Sequence, residues 1–398
     1  MLWDPIARDV PKNAQIVMDL ARKAIALRPG ITKNWERLAS HLLGIGEYEG
    51  AIAVLAEAVC TFRTEPRLHL MLADAYCRAQ RLDLAHEIFR QSPAVPTEDR
   101  GLSIYRLKVL LKLLVAMEAV KDAAHVATET LALDPTNTNA LRVLGEFSRK
   151  NGNPEIMLPI CQGALKHEPG HTQAYYELAL AYAILGRPEE ARGLIDVDRF
   201  ISVAEVATPQ GYADAETFEA ALASEIGSDP TLKPDPPSKA TIGGFQTMDF
   251  LPHGRQRAIS DLLAQIQLAV TRFATSLTEG LDHPFIKRRP ERARLNAWAV
   301  VYPGDGRQAA HIHRYGWLSG VYYVSTPKTS CEDLRKGCLV LGAMEEGLNV
   351  DPPWGIREIS PTAGRLVLFP SYVPHATIPT RSPDRRICIG FDVGPCSA

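Results

Sequence analysis

No Cys-x-x-Cys pair occurs anywhere in the 398 residues, and the seven cysteines, at positions 60, 77, 161, 331, 338, 388 and 396, are odd in number and scattered. That fits free thiols in a reducing compartment better than a disulfide framework or a zinc knuckle. Cys331 and Cys338, near Glu332 and Asp333, match no zinc-ligand spacing either. An excess of one charge is also lacking, since 44 Lys and Arg stand against 46 Asp and Glu. Neither nucleic acid nor an anionic membrane is therefore an expected partner. The one dense basic run, KRRPERAR at 287–294, reads as a solvated rim. Missing too is any run of about 18 apolar residues, which excludes a membrane-spanning helix. The start, MLWDPIARDVPK, has no basic stretch followed by an apolar one, so no secretory leader is read and the cytoplasm is expected.

What is present is the composition of a globular protein, 46% hydrophobic and 23% charged, at a length for two domains. The first half repeats with a period of 34. Asp134-Pro135 aligns with Glu168-Pro169, and the same offset takes Ala140 to Ala174, Leu144 to Leu178 and Gly152 to Gly186. Earlier, Leu38 maps to Leu72, Ala51 to Ala85 and Leu55 to Phe89. A fixed period with helical apolar spacing marks stacked helix pairs, each of which buries its apolar face only against a neighbour. A middle unit at about 100–133 is off register by four residues.

These units resemble the tetratricopeptide (TPR) repeats. The segment AYYELALAYAILGRPEEARGL at 174–194 carries the pattern best, with Gly186 at the turn and Pro188 opening the second helix. Another unit holds Trp35, Leu38, Gly46, Tyr48 and Ala51. The resemblance implies an all-α solenoid over 1–198 that binds a peptide or protein segment. The alternatives are a platform packed on the chain's own C-terminal domain, or a homodimer contact.

Beyond Arg199 the texture changes. Residues 214–226 read as one more helix, and GSDPTLKPDPPSKATIGG (227–244) as an extended loop. A helix at about 256–278 places Ile259, Leu262, Leu263, Ile266, Val270 and Phe273 on one face. Short strands follow at 295–302, 318–324, 338–341, 365–369 and 387–393, separated by Gly/Pro turns without helices. That spacing predicts an antiparallel sandwich or barrel. The whole is expected to be an α+β multidomain protein, with a double-stranded β-helix (jelly-roll) and its helical lead-in at 199–398.

His311 and His313 sit two apart, so in an extended segment both imidazoles point to one side. They can converge on one metal ion if another strand adds a third ligand, and His375, just past an apolar strand, is the candidate. A lone His-x-His is weak evidence. Its company is more specific and resembles the iron(II)- and 2-oxoglutarate-dependent dioxygenases. In that superfamily a His-x-Asp/Glu pair and a distal His bind iron, and a basic residue about ten positions later binds the far carboxylate of 2-oxoglutarate. Here Arg386, opening RICIGFD, is preferred over Arg385 for that carboxylate, and Cys388 shares its face of the strand.

YPGDG at 302–306 and SGVYYV at 319–324 look like the corresponding segments of oxygen-sensing prolyl hydroxylases. That likeness implies that Tyr323 holds the co-substrate carboxylate, with Tyr302 also at the co-substrate. A bacterial group of 2-oxoglutarate oxygenases gives the fullest match: Gly243-Gly244 with Gln246-Thr247, His311 and His313, Ser319 to Tyr323, Phe369 to Ser371 with His375, and Arg386. Tyr302, Ser319, Tyr323, Arg386 and Cys388 are thus the expected co-substrate residues. Fe(II), 2-oxoglutarate and O2 are the implied cofactors.

One departure stands out. His313 occupies the position of the usual Asp or Glu, and the centre loses a negative charge. The resemblance implies a dioxygenase hydroxylating a peptide or protein side chain held by the repeats. The alternatives are an oxygenase acting on a small molecule, with the repeats used for assembly, and a non-catalytic adaptor with a degenerate metal site.

Overall fold

The structure, a computed structural model, describes residues 1–3, 10–236, 239–248, 256–277, 283–327, 335–345, 347–348 and 350–396, with side chains from residue 16 onward in the first helix. Cys331, Glu332 and Asp333 fall outside the described residues. The chain divides into two compact units, Asp9–Gly163, and Met1–Arg8 together with Ala164–Ala398. The boundary expected at 198/199 falls inside the second unit.

The first unit is a row of helices: α1 (Val10–Leu27), α2 (Thr32–Gly44), α3 (Tyr48–Thr61), α4 (Pro66–Arg78), α5 (Leu82–Gln91), α6 (Arg100–Ala116), α7 (Val120–Leu133), α8 (Thr138–Lys150) and the start of α9 (Met157–His167). The 34-residue matches fall in its core. Leu38 and Leu72, Ala51 and Ala85, and Leu55 and Phe89 are all buried. The off-register middle unit has a plain cause. Four residues join α3 to α4 and α7 to α8, whereas eight join α5 to α6. Asp99 ends that longer link and caps α6 by accepting from Leu102 N at 2.8 Å.

The turn inside each pair needs one left-handed residue. Gly46 and Gly152 supply it in this unit, with φ of 80° and 71°. Gln80 and Glu118 occupy the equivalent turns at φ 60° and 57°, a conformation that disfavours any side chain with a Cβ.

The second unit contains the last helix pair, α10 (Thr172–Ile184) and α11 (Pro188–Leu194). Almost every residue of α10 is buried. Arg288 bonds Gly170 O at 2.8 Å, Thr172 Oγ1 at 2.5 Å and Glu168 at 2.9 Å, and Thr172 donates to Gly316 O at 3.0 Å. Two basic residues of the 287–294 run are thus structural, since Arg289 also donates to Ala274 O at 2.7 Å.

Among the described residues this unit also holds thirteen strands and three further helices: β1 (Leu2–Trp3), β2 (Ser202–Glu205), α12 (Ala215–Gly227), β3 (Lys233–Pro234), β4 (Thr241–Ile242), β5 (Phe245–Gln246), α13 (Arg257–Ser276), α14 (Pro284–Lys287), β6 (Arg292–Pro303), β7 (Arg307–Gln308), β8 (Leu318–Ser325), β9 (Leu339–Leu341), β10 (Arg357–Ile359), β11 (Arg365–Pro370), β12 (His375–Thr377) and β13 (Arg385–Pro395). The expected strands and helices are present. Short strands β3 and β4 occupy part of what reads in sequence as a loop at 227–244.

The large sheet runs β2-β11-β8-β13-β6-β5-β3, with β1 added along β6, and β10-β9-β12 form a second sheet. From β8 onward the chain passes between the two, with β8, β11 and β13 in the large sheet and β9, β10 and β12 in the second. All pairings in the large sheet are antiparallel except β1 with β6. Register therefore decides what meets what on its inner face. Arg386 stands opposite Tyr302, Cys388 opposite both Val300 and Tyr323, Gly390 opposite Trp298 and Val321, and Asp392 opposite Asn296 and Ser319.

Candidate metal and co-substrate centre

His311 and His375, the first residue of β12, form an isolated antiparallel bridge. His311 N donates to His375 O at 3.0 Å, and His375 N donates back to His311 O at 2.9 Å. Two residues that exchange both bonds face each other directly. His313 N donates to Ser371 O at 3.0 Å, which ties the far end of the segment to the turn before β12. The i, i+2 pair and the residue opposite it thus present three imidazoles to one point, with ring centroids 4.3 to 5.0 Å apart.

Each ring is held by its Nδ1. That of His311 meets Ala309 O at 2.8 Å, and that of His375 meets Val373 O at 3.1 Å. A carbonyl accepts only, so these Nδ1 atoms carry the protons and the Nε2 atoms keep their lone pairs. One ligand nitrogen from each of the three lies within 4.8 Å of the others. His311 Nε2 and His313 Nε2 are 3.1 Å apart, which suits two nitrogens bound at about 2.1 Å and nearly at right angles on one ion. Burial holds His311 neutral, with a pKa pushed down to about 3, aided by His313, and it also holds His375 well below its ordinary range. Neutral imidazoles are what a metal needs.

His313 is held by a carboxylate. Its Nδ1 bonds Asp392 Oδ1 in a short contact. Ser319 Oγ also donates to Asp392 Oδ1, at 2.7 Å, and lies 2.8 Å from Ser371 Oγ. The negative charge absent from position 313 therefore stands one step behind it, on β13. Sequence reading missed Asp392, although the period-2 face from Arg386 through Cys388 runs directly to it. Ser319, expected at the co-substrate, lies instead in this network behind His313.

On the other side of the three rings a cavity is lined by Val300, Gln308, Tyr323, Leu339, Arg386 and Cys388, among others. Arg386 is 1% exposed. Its Nη1 donates to Gly337 O at 2.9 Å, its Nη2 to Thr377 Oγ1 at 3.2 Å, and its carbon lies 4.6 Å from the Tyr302 ring centroid. Among the described residues no carboxylate pairs with it, and its Nε and the Tyr323 hydroxyl are buried without hydrogen-bond partners.

Tyr302 acts from behind. Its hydroxyl accepts from Gln308 Nε2 at 2.7 Å, and Gln308 Nε2 also reaches Thr241 Oγ1 at 2.9 Å, which donates to Gln246 at 2.7 Å. Gly244 and Gly306 flank the Tyr302 ring so closely that a Cβ on either would lie 2.6 Å and 2.1 Å from it. This explains the Gly-Gly and Gln246 positions of the sequence pattern. Burial raises the Tyr302 and Tyr323 hydroxyls and the Cys388 thiol above their ordinary pKa values, so all three remain protonated at neutral pH.

Residues 296–392 match the family model described as "Putative 2OG-Fe(II) oxygenase", and residues 42–101 and 162–199 match tetratricopeptide repeat models. The matches thus mark tetratricopeptide repeats in the first half of the chain and similarity to the oxygenase family model in its C-terminal region. None of the curated proteins matches it. Among solved structures, a Pseudomonas putida prolyl-4-hydroxylase is similar at 18% identity, TM-score 0.34, covering 50% of this chain and 93% of its own. A Trichoplax adhaerens prolyl hydroxylase in complex with a hypoxia inducible factor peptide fragment gives 15%, 0.34, 53% and 91%. The TPR protein YrrB, with an unusual peptide-binding site, gives 21%, 0.33, 43% and 86%. Among the described residues no helix is long and apolar enough to cross a membrane.

Proposed function

We propose that the chain is an Fe(II)- and 2-oxoglutarate-dependent dioxygenase that hydroxylates a peptide or protein side chain. The observation that carries this reading is the buried Arg386. A guanidinium out of water with no anion beside it among the described residues is costly, and the donors it presents suit a carboxylate. The unpartnered Tyr323 hydroxyl offers a second donor in the same cavity. Three imidazoles converge on the same cavity.

In this reading His311, His313 and His375 hold iron, and Arg386 and Tyr323 hold the far carboxylate of 2-oxoglutarate. When bound, the pair supplies the oxidising chemistry: 2-oxoglutarate, O2 and a substrate C–H become succinate, CO2 and a C–OH. The protein's own part is positional. Tyr302 beneath the guanidinium fixes its plane, Gln308 fixes Tyr302, and Asp392 fixes the tautomer of His313. Val300, Leu339 and Phe369 keep bulk water from the cavity.

The test is succinate formation from 2-oxoglutarate by the iron-loaded full chain, with peptide libraries screened for a 16 Da mass gain (one oxygen atom). His375→Ala should abolish both. A folded, iron-loaded chain that forms no succinate with any substrate would overturn the proposal.

A further inference from the structure

The near-neutral total charge conceals a sorting of charge within the helical unit. Helices α2, α4, α6 and α8, the first of each pair, carry eleven Lys and Arg against three acids. Helices α3, α5 and α7, the second of each pair, carry six acids against two bases. Each of the three acids on the first helices is shared by two cations. Glu36 takes Lys33 at 2.9 Å and Arg67 at 3.1 Å. Asp74 takes Arg78 at 2.9 Å and, more closely, Lys112. Glu146 takes Arg142 at 3.3 Å and Lys150 at 2.7 Å. Each trio keeps one net positive charge.

Depth matters as much as number. The Glu36 and Asp74 side chains are 11% and 6% exposed, whereas the four cations around them are 38–60% exposed. The acids act as buried anchors, and the surface presented to solvent is cationic. Helix α4 packs beside both α2 and α6, and Arg67 lies over the Tyr105 ring of α6, so the first two trios form one surface across three helices.

We propose that this face binds an extended, acidic polypeptide segment, with carboxylates placed one per trio. Neighbouring helices stand about 8–10 Å apart. An extended chain rises about 3.3 Å per residue, so acids at every third position recur at about 10 Å. Duplex nucleic acid carries a charge about every 1.7 Å, too dense for one net charge per helix spacing. The acidic second helices would repel it further. The inference rests on charge placement and does not require the oxygenase reading.

The full chain is titrated into a labelled peptide bearing Glu at every third position, with a Gln peptide as control, and anisotropy is followed at low and moderate salt. Binding of the Glu peptide that weakens with salt, and at least about tenfold weaker binding of the Gln peptide, is expected. Arg67→Gln with Lys112→Gln, which leaves each of the first two trios neutral, should weaken binding at least about tenfold, whereas Glu57→Gln with Glu129→Gln on the second helices should not. Circular dichroism of both variants excludes unfolding as the cause. Equal affinity for the two peptides, no loss in the Arg67/Lys112 variant, or tighter binding of duplex DNA of equal charge overturns the proposal. Uncoupled succinate formation, read on the same Arg67/Lys112 variant, reports separately on the catalytic reading.

Discussion

Asp392→Asn removes one charge while leaving the shape of the β13 side chain nearly unchanged, and it isolates what stands behind His313. Asp392 Oδ1 receives both the His313 Nδ1 proton and the Ser319 hydroxyl. A hydrogen bond to a charged acceptor contributes about 1.5–3 kcal/mol, against about 1 for a neutral pair. The substitution should therefore cost the bound metal about 1–2 kcal/mol, because a less polarised imidazole is a weaker donor. That corresponds to roughly a 5- to 30-fold loss of affinity. Anaerobic competition of Fe(II) or Mn(II) between the protein and a chromophoric chelator measures it. Ser319→Ala removes only one bond to Asp392 and should cost about threefold or less. An Asp392→Asn protein that unfolds at the native temperature and holds metal as tightly as the native chain would refute the reasoning.

A chain beginning at residue 164 should fold, whereas one beginning at residue 199 should be insoluble or molten by near-UV circular dichroism, because it lacks α10, whose Tyr175 packs 4.9 Å from Tyr372 beside His375. Gln80→Gly should raise the stability of the helical unit by up to about 1 kcal/mol in denaturant unfolding, since it relieves a left-handed residue in an open turn. His283 is held neutral by burial and by Arg199, with a pKa pushed down to about 4, and its Nδ1 accepts from Phe285 N at 3.2 Å. The unfolded chain takes up this proton first, so stability is complete above about pH 6.5 and falls as pH drops towards 4. His283→Asn keeps a cap acceptor and should make the thermal-stability profile shallower over that window.

The repeat was legible because matched apolar residues such as Leu38 and Leu72 must fall on the same buried faces, and that constraint is written at a fixed offset. The histidines were legible because strand periodicity puts 311 and 313 on one side. What was not legible depended on cross-strand register. Asp392 meets His313 only because β13 lies beside β8 and the turn before it, and no spacing along the chain encodes that neighbour. Ser319 lies within the motif that suggested a co-substrate role, but its register opposite Asp392 directs its hydroxyl elsewhere. The last helix pair reads as one more repeat and matches a tetratricopeptide model over residues 162–199, while its first helix packs within the unit that holds the sheets, a contact that periodicity does not encode.

The most direct test is anaerobic equilibrium dialysis of the full chain against Fe(II) and labelled 2-oxoglutarate. One iron and one 2-oxoglutarate per chain are predicted. His311→Ala or His375→Ala should lose both, and Arg386→Ala should keep iron but lose 2-oxoglutarate. A native chain that retains no iron, or retains iron with no 2-oxoglutarate, would contradict the account.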